Sequence, residues 1–426
     1  MSTTSMSLKT LQFLLQHMDA NRRFEIYNRC PSLREFEKSV PLKINSLVLN
    51  GRSVIVNDTT YKLGIIRKYT VGETPQYVTD SNEIGGLTHE VDRFGIKDVL
   101  DKYTVTPGDV GINLPRRPIV DSEEGQIRYR ENQIQHYEGQ IAEERGRGYV
   151  RNRSIVDHWE LIIEVSRAKL FDYHCRRENI PPNFEHYLQL TTSRAVDGQE
   201  QRTIQRYAHN RKYSEAMKQL TTVLLGGRNS PISVTKIKFI CPLGVIRLPF
   251  GVKFRVEQLM CQGHASKTLE ALAPILHESS YPLKKLAIGV FPLNDINNPI
   301  IRTAGILRIR SSDISQHLRL ITNPILHITL SELSERTPLA KLMADCVESR
   351  RPVGTEFIIL FHLEPYFANE MEDILKSLNG VPIDDENVII PLSDTAQLRI
   401  SYGPFPEFAP RSKWAVRFST EAIEHS

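Results

Sequence analysis

The residues that could do chemistry in this 426-residue chain are few and scattered. Cys261 stands three residues before His264, and His174 directly precedes Cys175. Either pair is half of a zinc site, which takes four Cys or His ligands, and neither has a second pair at ligand distance. His89-Glu90 and His277-Glu278 begin the metalloprotease motif HExxH without its second histidine. Phosphate chemistry would need GxxxxGK[ST] or GxGxxG between strand and helix, and the pairs Gly85-Gly86 and Gly226-Gly227 have neither context. No GxSxG elbow occurs, and the 13 histidines are spread so widely that a chance Ser–His or Cys–His approach would be uninformative. Asp384-Asp385 sits in a turn-forming stretch where paired carboxylates solubilise. No catalytic residue, metal ligand or cofactor is expected, and an enzyme reading would need a site assembled from distant residues.

One run suits nucleic acid. Arg202–Tyr213 (RTIQRYAHNRKY) sets Arg206, Arg211 and Lys212 against Tyr207 and Tyr213, phosphate-binding cations beside rings that could stack on bases. The same residues make the basic side of an amphipathic helix over 206–225, whose other face would hold Met217, Leu220, Val223 and Leu224. The structural reading is preferred, so nucleic acid is the second choice of partner.

The elements that must carry these residues follow from periodicity. Leu8, Leu11, Leu14, Leu15 and Met18 recur at helical spacing. A second short helix carries Phe24, Ile26 and Tyr27 and loosens at Cys30, because the residue before Pro31 avoids helical geometry. From Leu42 the period becomes two: Ile44, Leu47 and Leu49, then Val54 and Val56 across Asn50-Gly51, predict a hairpin, and Tyr61, Leu63 and Ile65 a third strand. Residues 121–178 predict a helical hairpin, with Ile127, Ile134 and Ile141 on a polar first arm and Ile155, Trp159, Ile162 and Ile163 on the second. Beyond Tyr187, short apolar runs at 237–240, 256–260, 286–290, 306–309 and 325–330 start 19 to 30 residues apart, alternating with helical patches at 265–277 and 338–349. That spacing approaches the leucine-rich-repeat range.

The fold class is therefore mixed α/β (α+β), in three spans. Residues 1–120 hold short N-terminal helices and a β-rich region, 121–178 the inserted hairpin, and 179–426 an irregular leucine-rich-repeat-like body of strands and helices. Composition agrees with a globular chain: 40% hydrophobic, 24% charged and a net charge of +4, with no segment basic enough to demand nucleic acid. The 5 cysteines are odd in number and never in CxxC spacing, which predicts a reducing, intracellular setting, cytoplasm or nucleus. The N-terminal Phe13-Leu14-Leu15 cluster runs into Gln16 and His17 and is too short for a signal peptide. No window approaches the roughly 20 apolar residues that span a bilayer, so no membrane partner is expected.

Several local motifs resemble a nematode-expanded family of unknown function. They are Cys30-Pro31-Ser32-Leu33-Arg34, Val40-Pro41-Leu42, Tyr61-Lys62-Leu63-Gly64, Asp92-Arg93-Phe94-Gly95, Thr106-Pro107-Gly108-Asp109, Leu225-Gly226-Gly227-Arg228, Arg247-Leu248-Pro249 and Ser280-Tyr281-Pro282-Leu283-Lys284. More loosely, the chain is similar to nematode F-box proteins, although it lacks their Leu-Pro opening, so the N-terminal module would be a degenerate F-box. That resemblance implies no cofactor and no catalytic residue. It implies docking to a ubiquitin-ligase adaptor through the N-terminal helices, with Leu11, Leu14 and Leu15 as the contact positions. The expected function is a non-catalytic protein-recognition or scaffold role, possessing a substrate-receptor character. A nucleic-acid binder using 202–213 is the alternative, and an enzyme with a dispersed site the third.

Overall fold

The computed structural model describes residues 7–115, 122–146, 153–240, 244–290, 293–310, 318, 320–329, 344–345, 347–361, 376, 378, 380–384, 387–403 and 414–423. Three short helices open the chain: α1 (Leu8–His17), α2 (Ala20–Arg29) and α3 (Arg34–Ser39). Asp19 caps α2, its carboxylate accepting the Asn21 backbone N–H at 2.9 Å. A meander follows: β1 (Lys43–Leu49), β2 (Ser53–Val56) and β3 (Thr59–Tyr69), then α4 (Gln76–Glu83) and β4 (Val110–Ile112). Asn50 closes the first turn as expected, its side-chain oxygen accepting the Arg52 and Ser53 backbone N–H groups at 3.0 and 2.6 Å. The glycine pair Gly85-Gly86 lies against β3, where a Cβ on Gly64 would stand 2.0 Å from the Gly85 carbonyl oxygen. Its role is close packing.

The hairpin forms as expected from α5 (Glu123–Gly146) and α6 (Arg153–Arg177). Next come β5 (Phe184–Val196), β6 (Gln199–Ala208) and α7 (Tyr213–Leu225). Here the structure corrects the expected helix over 206–225: residues 199–208 are a strand paired along its length with β5, and the helix begins only at Tyr213. The cause is Asp197-Gly198, whose positive φ values of 52° and 78° form a two-residue hairpin turn.

The remaining elements are β7 (Ile232–Phe239), β8 (Gly244–Ile246), β9 (Phe254–His264), α8 (Ala265–Leu272), β10 (Lys285–Val290), α9 (Pro299–Thr303), β11 (Ile306–Arg310), β12 (Ile325–Thr329) and β13 (Glu356–Phe361). The series closes with β14 (Val381–Pro382), β15 (Asn387–Pro391), β16 (Ala396–Gly403) and β17 (Trp414–Ala422). Part of the helical patch expected at 338–349, and Asp385 of the acidic pair, lie outside the described residues.

Fifteen strands make one mixed sheet, in the order β14-β15-β16-β17-β13-β12-β11-β10-β9-β7-β1-β2-β3-β5-β6. Its centre, β1 through β7 and β9 to β13, is parallel, and both ends are antiparallel. Because β1 pairs with β7, the spans 1–120 and 179–426 share this sheet. Two apolar rows cross its centre in register. One runs Leu47, Ile237, Leu259, Leu286, Leu307, Leu326, Phe357, and the other Leu49, Phe239, Cys261, Ile288, Ile309, Ile328, Ile359. All fourteen are buried in the main core, with Met217 and Leu224 of α7, Leu269 and Leu272 of α8, and Ile301 of α9. Parallel neighbours need a crossover connection each, and residues of α7, α8 and α9 pack on this buried face.

Candidate functional site

At the N-terminus, α1 is thinly attached. Ser7 caps it, accepting the Thr10 backbone N–H at 3.1 Å, and Leu15 is its sole buried residue. Leu8, Phe13 and Leu14 are 68%, 61% and 41% exposed. Of the positions expected to dock a partner, Leu15 therefore faces the fold, Leu14 faces solvent, and Leu11 is half-buried between them. A ten-residue helix holds poorly in isolation, and three of its large apolar side chains lie on different sides of it, open to solvent.

The other N-terminal helices are clamped by buried charge. Arg23 of α2 donates to the Glu37 carboxylate at 2.8 Å and to the carbonyls of Glu37, Val40 and Pro41. Arg228, in the loop after α7, donates to the same carboxylate at 3.2 Å. Beside them Lys38 donates to the Val223 carbonyl at 2.6 Å, a cation at the C-terminal end of α7. Burial, then the neighbouring Arg228, pushes the Lys38 ammonium down to about 7, against the pull of Glu37. This clamp ties the N-terminal helices to α7. A shallow hollow of about 290 Å³ lies at the seam, with Tyr27, Arg34, Glu35 and Lys38 on one wall and Gly227 and Asn229 on the other.

The run 202–213 does not form one basic stripe. Arg206 lies on the edge strand β6 and donates to the Gln189 side chain at 3.0 Å. Arg211 is in the following loop, hydrogen-bonded to Gln219, and Lys212, at the start of α7, faces Asp98 at 3.6 Å. Tyr207 is exposed, but Tyr213 is buried and its hydroxyl donates to the Leu63 carbonyl at 3.2 Å. Of the two rings proposed for base stacking, Tyr213 is therefore unavailable. The Cys–His pairs also separate by environment: Cys261 faces the core, where burial pushes its thiol up to about 12, and it is protonated at neutral pH.

A surface that sequence reading missed lies on the sheet itself. Opposite the buried rows, the register aligns Lys236, Gln258, Lys285, Ile306, Ile325 and Glu356 across β7 to β13. The next row is Lys238, Met260, Ala287, Arg308, His327 and Ile358. Lys285 feels Arg308 and Lys236 as neighbours, both repulsive, and after burial these hold its ammonium below the ordinary lysine range. Burial likewise lowers Arg308. His327 is pushed down to about 4 by burial, then by Lys285, Arg308 and Arg417. The one carboxylate of these rows, Glu356, is taken by Arg417 at 2.8 Å. The signal was present in the sequence as a recurring apolar-x-x-apolar-x-apolar step: Ile44/Leu47/Leu49, Val234/Ile237/Phe239, Val256/Leu259/Cys261, Leu283/Leu286/Ile288 and Ala304/Leu307/Ile309. Aligning those steps places the intervening lysines and arginines on one face.

Comparison with known proteins bears on this part of the chain. Residues 212–361 match a domain of unknown function, DUF3557. The match runs from the start of α7 through β13 and so takes in most of the parallel ladder. No curated protein and no solved structure matches the chain. Among the described residues, no helix is long and apolar enough to cross a membrane.

Proposed function

We propose that this is a non-catalytic protein-recognition protein, built as a strand-and-helix ladder that presents a broad face and carries a docking helix at its N-terminus. The observation that supports it is α1, which spends one residue, Leu15, on the fold and leaves Leu8, Phe13 and Leu14 to solvent. Half-buried Leu11 and exposed Leu14 stand at i and i+3 on one side of this short helix, the spacing that a partner's groove takes up. The ladder supports the same reading, since a quasi-repetitive body buries its core between neighbours and keeps its other face for contacts. The spacing of its apolar step is the feature that supports a leucine-rich-repeat-like reading. The F-box-like resemblance makes a ubiquitin-ligase adaptor the partner to try at α1.

The test is binding of purified full-length protein to a recombinant adaptor subunit, with Leu14→Asp as the variant. Binding by the wild type, lost in the variant at an unchanged melting temperature, supports the docking helix. Failure of the wild type to bind removes the adaptor, and unfolding of Leu14→Asp would make the stripe ordinary core.

A further inference from the structure

We propose that the outer face of the parallel sheet, around Lys236, Lys285 and Arg308, binds an extended acidic segment of a partner protein. The proposal rests on the recognition reading and assigns it a second surface, remote in sequence from α1. Lys236 and Lys285 stand in one row, two strands apart, with Gln258 between them. Arg308 lies on the strand next to Lys285, one row further on. With strands about 4.8 Å apart and residues about 3.3 Å apart, successive cations are separated by about 8–10 Å. A chain in the polyproline II form rises about 3.1 Å per residue with three residues per turn, so carboxylates at every third position lie on one side about 9 Å apart and would meet each cation in turn.

Three further observations favour an anionic occupant. Among the described residues, Lys236, Lys285 and Arg308 enter no ion pair, and the charges acting on Lys285 are other cations. All three side chains are half-buried, so an anion there would be less screened than at an open surface. Repulsion among like charges is removed when a partner supplies the opposite sign, which gives specificity as well as attraction. The apolar neighbours decide between classes of partner. Met260, Ile306 and Ile325 are half-buried in the same rows, and these rows carry no Phe, Tyr or Trp on which a base could stack, their one imidazole, His327, being buried. A nucleic-acid surface needs such platforms or a continuous phosphate track. An acidic peptide with apolar residues between its carboxylates uses both kinds of neighbour.

The probe is a fluorescent peptide of Glu-Leu-Ser repeats, titrated with the full-length protein and followed by polarisation. Saturable binding that weakens with salt is expected, and Lys236→Glu/Lys285→Glu/Arg308→Glu should weaken it at least about tenfold. The equal-charge control, Arg206→Glu/Arg211→Glu/Lys212→Glu, should bind like the wild type. If the reversal variant misfolds by circular dichroism, Lys285→Gln with Arg308→Gln gives the same comparison. Equal loss in both triple variants would mean general charge attraction and would overturn the proposal. So would no binding by the wild type, or tighter binding of single-stranded RNA lost in the sheet variant. Leu14→Asp should leave the peptide affinity unchanged. A wild type that binds the adaptor but not the peptide would sink this surface alone.

Discussion

At the scale of single residues, the decisive feature is charge taken out of water. Glu37 is fully buried and is the carboxylate shared by the guanidinium groups of Arg23 and Arg228. A buried pair adds little over an apolar replacement, but removing one partner strands the other charge. Glu37→Ala should therefore cost about 3–5 kcal/mol, read by denaturant unfolding. A loss below about 1 kcal/mol would mean that the backbone carbonyls on Arg23 suffice. The imidazoles of buried His327 and half-buried His186 and His89 act in the opposite sense, because they fold as neutral groups. Burial and Arg67 hold His186 down at about 3, and burial, with nearby cations, holds His89 and His327 at about 4, against an ordinary value of 6.5. The unfolded chain binds these protons more readily, so stability is fully present above about 6.5 and is lost as pH falls towards 4. The melting temperature should drop across that window, and His186→Phe should flatten the drop. An unchanged acid limb in the variant would show that His186 is not among the groups responsible.

At the scale of elements, the helical hairpin is two structures in one. Its outer part has its own small core of Ile141, Val156 and Ile163, with Ile134, Tyr137 and Trp159 packed against it. Its base is riveted to the body: Lys169 donates to the Gly95 carbonyl at 3.0 Å, and Asp172 faces Arg67 at 3.5 Å. Cys175 packs with Phe94 and Ile96. Replacing 134–163 with a tight turn should therefore keep a cooperative melt, whereas deleting all of 121–178 bares Arg67 and should lower the melting temperature sharply. Equal melts for the two deletions would show that the base contributes nothing. The hairpin was legible in the sequence because Ile127, Ile134 and Ile141 mark one face at a constant period. The early strands were legible through Asn50-Gly51. Strand β6 was not, because all ten of its residues are exposed and no buried face imposes alternation on them. There the turn chemistry of Asp197-Gly198 outweighed residue pattern. The apolar stripe of α1 was half legible: spacing put Leu11, Leu14 and Leu15 together, but which of them the fold covers depends on what packs against α1.

At the scale of the whole molecule, the sheet is parallel where crossovers can cover it and antiparallel where it must end. Parallel strands need a covering connection each, and the fourteen aligned core residues show that every central strand has one face buried. The ends are finished differently. At one end, β6 is an edge bearing Glu200, Arg202 and Arg206, charges that discourage a further strand. At the other, the meander of β15, β16 and β17 stands against β13 and tapers into the two-residue β14. It carries the first apolar row onward through Phe418, Ile400 and Val388, all buried. This meander lies beyond residue 361, where the DUF3557 match stops, so the matched region alone would end on an open β13 edge. That edge carries Phe357, Ile358, Ile359 and Leu360, four apolar residues that the full chain buries. Consecutive apolar residues on an unpaired strand template association with other chains. A chain ending at residue 361 should therefore self-associate in light scattering at concentrations where the full chain is dispersed. Phe418→Ala in the full chain should cost about 3–5 kcal/mol, as for other buried aromatic truncations, while leaving it dispersed. Should the shortened chain stay monomeric and cooperative, β17 would be an addition to a ladder already closed at β13.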